Sequence, residues 1–250
     1  MTDATRRSRC RRPPYATATF FALAAALATT TLAAGPATAT LRGKIVGWEK
    51  LLPQVYVDAS KNDSRRYTWR EPSPTVKQEF RRLSASPSRD VCIVALATGA
   101  AAQPHEPMAI KVTGGRMTPS TLVLSPGSRV SFKNVDPFPH ILYEVGNDKW
   151  AANSVAPGSA REWAATGPGL HVIRDEQFTS IVMYVVVDPA ATEFAAPDHE
   201  GGFSMAVPPG DYTLKAFFDG KQVGKEAAAH VGTAGFEVKD PMAVGSGDSK

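Results

Sequence analysis

From about residue 40 onward the chain is a succession of short β-branched and aromatic runs, each closed by Gly, Pro, Asn or Asp, with scarcely any helical apolar period. Such a chain buries its apolar side chains only by pairing strands into sheets and stacking the sheets. Candidate strands run over Gly43–Val46, Gln54–Ala59, Val91–Ala97, Ala109–Thr113, Thr121–Leu124, Arg129–Lys133, His140–Val145, Arg161–Ala164, Leu170–Arg174, Val182–Asp188, Gly202–Ala206 and Tyr212–Phe218. The exception is Thr75–Leu83, where Ser73-Pro74 precedes Val76, Phe80 and Leu83 at a spacing that predicts one short surface helix.

The N-terminus bears on the compartment. Arg6, Arg7, Arg9, Arg11 and Arg12 precede an apolar, Ala-rich run over Ala16–Ala34, which is followed by Ala37-Thr38-Ala39. A basic start, an apolar middle and a small-x-small site make a secretory signal, with cleavage expected after Ala39 and a periplasmic or extracellular destination. The run is rich in Ala and Thr and ends at Gly35-Pro36, and no second apolar span follows, so no integral membrane anchor is expected after cleavage. Removing residues 1–39 takes five Arg and one Asp from totals of 28 Lys+Arg and 24 Asp+Glu, leaving 23 of each. The basic balance belongs to the leader, and nothing in it points to nucleic acid as a partner. Cys10 leaves with the leader too. Cys92 then stands alone inside Val91-Cys92-Ile93-Val94-Ala95-Leu96, a run that reads as a buried strand in which Cys acts as a small hydrophobe.

Residues 60–90 are charged and irregular, with Arg65-Arg66, Arg70, Arg81-Arg82 and several Pro, and read as a solvated connection with Trp69 in its middle. Residues 97–107, which include Pro104, His105 and Pro107, read as a linker or exposed loop. The expected organisation is a signal over 1–39, an N-terminal β segment with a charged loop over 40–105, a central domain over 106–189, a β-hairpin region over 190–240 and a disordered tail over 241–250.

The central stretch carries a motif. Pro119-Ser120-Thr121-Leu122-Val123-Leu124-Ser125-Pro126-Gly127 reads as a strand and turn. It is followed by Val130-Ser131-Phe132-Lys133-Asn134-Val135-Asp136-Pro137-Phe138-Pro139-His140, and later by Pro157-Gly158 and Gly167-Pro168-Gly169-Leu170-His171-Val172. With these, residues 118–188 resemble a plastocyanin-like cupredoxin domain. The resemblance implies a sandwich in which Asn134 and Asp136 brace a loop and His140 is the first copper ligand. It also implies Cys-x-x-His-x-x-Met ahead of the last strand. Anchored on Met183-Tyr184-Val185-Val186-Val187, that pattern puts Asp175 at the Cys position, Phe178 at the His and Ile181 at the Met. A blue-copper site depends on its thiolate, so the copper site is expected to be degenerate, with His140 its one retained ligand and no cofactor bound. In the other reading His171 and Asp175, with Glu176 near, join His140 in an N/O site for copper or zinc. Against it, His171 stands where the family has an aromatic packing residue, and Asp175 can cap a loop or pair with Arg174 or Arg161.

The flanks resemble a second family. Leu41-Arg42-Gly43-Lys44-Ile45-Val46-Gly47 and Leu52-Pro53-Gln54-Val55-Tyr56-Val57 are similar to the opening strands of carboxypeptidase regulatory-like domains. Gly202-Phe203-Ser204-Met205-Ala206-Val207-Pro208-Pro209-Gly210-Asp211-Tyr212-Thr213-Leu214 looks like their closing hairpin, with Pro-Pro-Gly forcing the turn. The order of the two resembles periplasmic methylamine utilisation proteins. The fold expected is all-β: a Greek-key cupredoxin-like sandwich packed with, or inserted into, a small carboxypeptidase-regulatory-like β-sandwich.

No Gly-x-Ser-x-Gly elbow, His-Glu-x-x-His pair or phosphate-cradling Gly loop is present, so the chain is not expected to be an enzyme. Asp198, His199 and Glu200 before Gly201-Gly202 read as a turn. The function expected is that of an exported, non-catalytic binding module for an unknown protein or glycan, with Trp69, Trp150 and Trp163 as candidate contact residues. The alternative is a periplasmic metal-binding or electron-transfer protein with an atypical site around His140.

Overall fold

A computed structural model describes residues 38–52, 85–99 and 101–245. Within them the strands are β1 (Ala39–Val46), β2 (Val91–Ala97), β3 (Met108–Thr113), β4 (Arg116–Thr118), β5 (Thr121–Leu124), β6 (Arg129–Asn134), β7 (His140–Glu144), β8 (Asn153–Val155), β9 (Ala160–Ala164), β10 (Gly169–Asp175), β11 (Val182–Val187), β12 (Ala191–Ala195), β13 (Gly202–Val207), β14 (Gly210–Phe218), β15 (Lys221–Val231), β16 (Phe236–Glu237) and β17 (Met242–Ala243). The described residues are nearly all β, with one α-helical turn over Pro87–Asp90, and build two sandwiches. The expected strand Gln54–Ala59, the helix Thr75–Leu83, Trp69 and the leader up to residue 37 lie outside the described residues.

One sandwich stacks a sheet of order β13-β1-β16, with β17 also on β1, against a sheet of order β12-β2-β14-β15. Its core holds Leu41, Ile45, Val91, Ile93, Phe203, Val207, Leu214 and Val231. The other stacks β5-β11-β10-β7-β8 against β4-β3-β6-β9, around Phe132, Leu122, Leu142, Ile173, Ile181 and Met183. Residues 108–187 thus leave the first sandwich after β2 and return to it at β12.

Two short apolar runs explain how the sandwiches meet. Side chains alternate along a strand, so β2 sends Val91, Ile93 and Ala95 into the first core and Cys92, Val94 and Leu96 out of its other face. From the other sandwich β5 sends Leu122 and Leu124 inward and Val123 outward, where it meets Cys92, Val94, Leu96, Ala191 and Phe217. Burying a Val, Leu or Phe side chain is worth about 1.5–3 kcal/mol, so this third cluster is enough to hold the two sandwiches together. Strands buried on both faces read as near-continuous apolar runs: β2 is one throughout, and β5 is one from Leu122 to Leu124.

Some expectations are corrected. The Val207-Pro208-Pro209-Gly210 turn does not close a hairpin: β13 pairs with β1, while β14 pairs with β2 and β15. It is a corner that crosses between sheets, pinned by Tyr212 Oη donating to the Pro208 carbonyl at 2.7 Å. The hairpin is β14–β15, turning at Asp219-Gly220 with φ of 49° and 75°, the left-handed pair that a two-residue type I′ turn requires. Over residues 241–245, the described part of the tail, the chain is ordered: β17 pairs in parallel with β1, and Met242 and Val244 are buried. Ala39 opens β1 opposite Val207 and is buried, so a cut after Ala39 trims the first buried residue of that strand. The segment 101–107 is exposed for the most part, but it is tied down rather than loose. Among the described residues no helix is long and apolar enough to cross a membrane.

Candidate functional site

His140 opens β7, and the loop before it is braced from inside. Asn134, buried at the end of β6, donates from Nδ2 to the carbonyls of Phe138 and Val155, both at 2.8 Å, and accepts from the Asp136 amide at 2.9 Å. The turn so formed aims Asp136 back at the ring. Asp136 Oδ2 lies 3.1 Å from His140 Nε2, while its Oδ1 accepts from the Gly114 amide at 2.9 Å and from Thr113 Oγ1 at 3.3 Å. The Gly114 amide, with help from His140 and Thr113 and against the opposing effect of burial, holds the Asp136 carboxyl below its ordinary range.

Asp175 closes the other side. Its Oδ2 lies 2.9 Å from His140 Nδ1 and accepts from the Ile141 amide at 3.2 Å. Its Oδ1 accepts from the amides of Gln177 and Phe178, both at 2.8 Å, capping the loop after β10. The expected loop cap is therefore present, but neither Arg174 nor Arg161 pairs with Asp175. Arg161 lies over the Trp150 ring at 3.9 Å and donates to the carbonyls of Leu142 and Ala151. The imidazole is fully buried, with Phe138 and Phe178 edge-on to it at 5.2 and 5.3 Å.

Both ring nitrogens of His140 thus face carboxylate oxygens. Both can donate only if both carry hydrogen, as an imidazolium does; a neutral ring with one protonated carboxyl satisfies the same two contacts. In either state no lone pair of the ring is free. A metal needs the bare nitrogen and further donors around it, yet Phe178 has none and Ile181 is fully buried in the core. These residues do not fit a copper or zinc ion. Among the described residues no group of three or more His, Cys, Asp or Glu is arranged to hold a metal.

The structure brings His140 and Asp175 together and leaves His171 elsewhere. His171 and Asp175 share a face of β10, but four residues of strand separate them by about 13 Å. His171 Nδ1 lies 2.6 Å from Glu144 Oε1, and its Nε2 lies 2.9 Å from the Gly167 carbonyl. Glu144 Oε2 accepts from Trp163 Nε1 and Asn147 Nδ2, both at 2.7 Å. Burial pushes the Glu144 carboxyl up, but the hydrogen bonds from His171, Trp163 and Asn147 outweigh it and hold the group below its ordinary range. β7 therefore carries a His–carboxylate contact at each end. This second network was not foreseen from the sequence; its one legible signal is that β7 carries charged or titratable residues, His140 and Glu144, at both ends of its inward face, with Leu142 between them.

The remaining candidates are placed as follows. Cys92 is buried between the sandwiches, and burial pushes its thiol up to about 12. Trp150 and Trp163 are buried, so neither is a surface contact residue, contrary to expectation: Trp150 donates to the Glu162 carbonyl and Trp163 to Glu144. Asp198 forms the expected turn, accepting from the amides of Glu200 and Gly202 at 2.8 Å.

No family model matches the chain, and no curated protein matches it. Solved structures do. A reduced amicyanin variant is similar with a TM-score of 0.31 at 17% identity, over 38% of this chain and 99% of that one. The copper-containing nitrite reductase of Thermus scotoductus SA-01 gives 0.30 at 20% identity, over 38% of this chain and 25% of its own. A purple cupredoxin from Nitrosopumilus maritimus gives 0.28 at 20% identity, over 32% and 99%. The likeness covers part of the chain only.

Proposed function

We propose that this chain is an exported, non-catalytic binding module on a cupredoxin-like scaffold whose copper position has become a metal-free cross-link. The observation that carries the reading is His140 with both ring nitrogens on carboxylates, Asp136 at 3.1 Å and Asp175 at 2.9 Å. Copper-based electron transfer needs a thiolate and a bare imidazole at that position, and the chain offers Asp175 and an engaged ring. The bridge ties the β6–β7 loop to the β10–β11 loop and, through Gly114, to the β3–β4 turn. The loops at that end are fixed as a rigid surface, which a binding module requires. The partner is a protein or glycan met after export, the leader at residues 1–39 being the basis for the location.

The test is metal uptake. The purified protein, loaded with Cu(II) or Zn(II) and then dialysed, is expected to retain far less than one metal per chain and to show no thiolate-to-copper absorption band. One tightly held metal per chain, lost in His140→Ala, would overturn the reading in favour of an atypical metal or electron-transfer site.

A further inference from the structure

At the His140 end the two sandwiches meet around a cleft whose walls are tied together across the junction. The Ser120 amide donates to the Arg89 carbonyl at 2.8 Å, and the Asp219 amide donates to Thr121 Oγ1 at 3.2 Å. On one side the Arg89 guanidinium clasps Asp90, with Nε on Oδ1 at 2.6 Å and Nη2 on Oδ2 at 2.7 Å, and Ser120 Oγ donates to the same Oδ1 at 3.2 Å. On the other side Ser180 Oγ donates to the Gly115 carbonyl at 3.1 Å, which ties the β10–β11 loop to the β3–β4 turn. The neighbouring Gly114 amide is the one that holds Asp136, so the cleft shares a wall with the His140 bridge.

The cleft measures about 340 Å³, towards the lower end of the range for small-molecule sites. Val182 and Tyr184, two apart on β11, line it from one face of their sheet. Arg116 reaches it from an exposed position, and Tyr184 and Asp219 are half-buried in it. Among the described residues the Arg116 guanidinium, the Tyr184 hydroxyl and the Asp219 carboxyl make no hydrogen bond or ion pair. Burial, and then the charge of Asp90, push the Asp219 carboxyl up, with Lys221 opposing. A donor, an acceptor and an aromatic ring thus converge on one space with nothing in the chain to answer them.

We propose that this cleft binds a neutral glycan, with a sugar ring against Tyr184 and its hydroxyls donating to the Asp219 carboxyl and accepting from the Arg116 guanidinium. A sugar ring has an apolar C–H face that packs on an aromatic body. Each of its hydroxyls both donates and accepts, so neighbouring hydroxyls meet a carboxylate and a guanidinium at once. With Arg89 and Asp90 closed on each other, an anionic ligand would meet Asp219 and a cationic one Arg116, which leaves the uncharged sugar. This assigns the partner class of the surface proposed above, a glycan rather than a protein, and rests on that reading.

The probes are maltose, cellobiose, lactose and chitobiose, each titrated into the full-length protein to about 10 mM, where even a millimolar site is occupied, while the amides of Gly115, Ser120, Ser180 and Gly220 are followed by NMR. Saturable shifts at these amides with at least one of the sugars are expected. Arg116→Ala, at an exposed position, should weaken that binding about tenfold, the worth of a hydrogen bond to a charged group. Tyr184→Ala should abolish it with the circular dichroism spectrum retained, and Arg116→Ala decides alone if that variant fails to fold. Absence of saturation by all the sugars overturns the proposal and makes the partner a protein; binding that Arg116→Ala leaves unchanged overturns it as well. Metal content measured on the same sample separates the two claims: a protein that holds copper or zinc and binds a sugar refutes the metal-free reading alone, and a metal-free protein that binds none of the sugars refutes the glycan alone.

Discussion

Replacing His140 by Leu removes the ring that joins Asp136 to Asp175. The substitution keeps the apolar packing against Phe138 and Phe178 but leaves Asp175, whose side chain is fully buried, and Asp136, 10% exposed, without their shared partner. Breaking a buried charged group's partnership costs about 3–5 kcal/mol. Here the low end applies, because Asp175 keeps three backbone donors and Asp136 keeps Gly114 and Thr113. A loss of about 3 kcal/mol in a domain of this size lowers Tm by roughly 6–12 °C. The assay is thermal unfolding by circular dichroism at pH 7 on parent, His140→Leu, Asp175→Asn and the double variant. In contact pairs the coupling is about 0.5–3 kcal/mol, so the double variant should lose less than the sum of the single losses. A His140→Leu shift under about 2 °C, or strict additivity with Asp175→Asn, would refute the claim that the three groups form one cross-link.

Acid should weaken the fold through Asp136 and Glu144. Both carboxyls are held below their unfolded values, about 3.9 and 4.3, so their contribution is present above those values and lost as pH falls through the folded ones. Urea titrations from pH 6 to pH 2 should show a flatter decline in Asp136→Asn and Glu144→Gln than in the parent. The comparison must be with the parent, because Glu193 and Asp219, raised by burial, act in the opposite direction. Cys92, with its thiol pushed up to about 12, should resist a thiol-specific disulfide reagent at pH 8 by about three orders of magnitude relative to free cysteine, and react as one thiol per processed chain once denatured; fast native labelling would contradict its burial.

How far the sequence carries depends on whether the determinant is local. β2 and β5 were legible because strands buried on both faces carry few polar residues: β2 is apolar throughout, and β5 is apolar but for Thr121, whose hydroxyl accepts from the Asp219 amide. β15 was not: Lys221–Val231 mixes Lys, Gln, Gly and Ala, with no alternation of large apolar residues, and is a strand because β14 offers it a register of backbone partners. Pro208-Pro209-Gly210 marked a turn correctly, but composition does not say whether a turn returns to the same sheet or crosses to the next. At the site, the brace from Asn134 and Asp136 was readable because it is closed within seven residues of sequence, from Asn134 to His140. The Asp175 contact joins positions 35 apart, and the His171–Glu144 contact joins positions 27 apart. Neither spacing follows from periodicity; both follow from which strands lie side by side in the sheet, β7 beside β10.

Whether His140 offers a free nitrogen to a metal can be read from long-range ¹H–¹⁵N correlation of the histidine rings. With both nitrogens engaged by Asp136 and Asp175, the His140 ring should hold its hydrogen-bonded shifts unchanged when Zn(II) is added. A His140 nitrogen of the bare, pyridine type that moves or broadens on Zn(II) addition would contradict it.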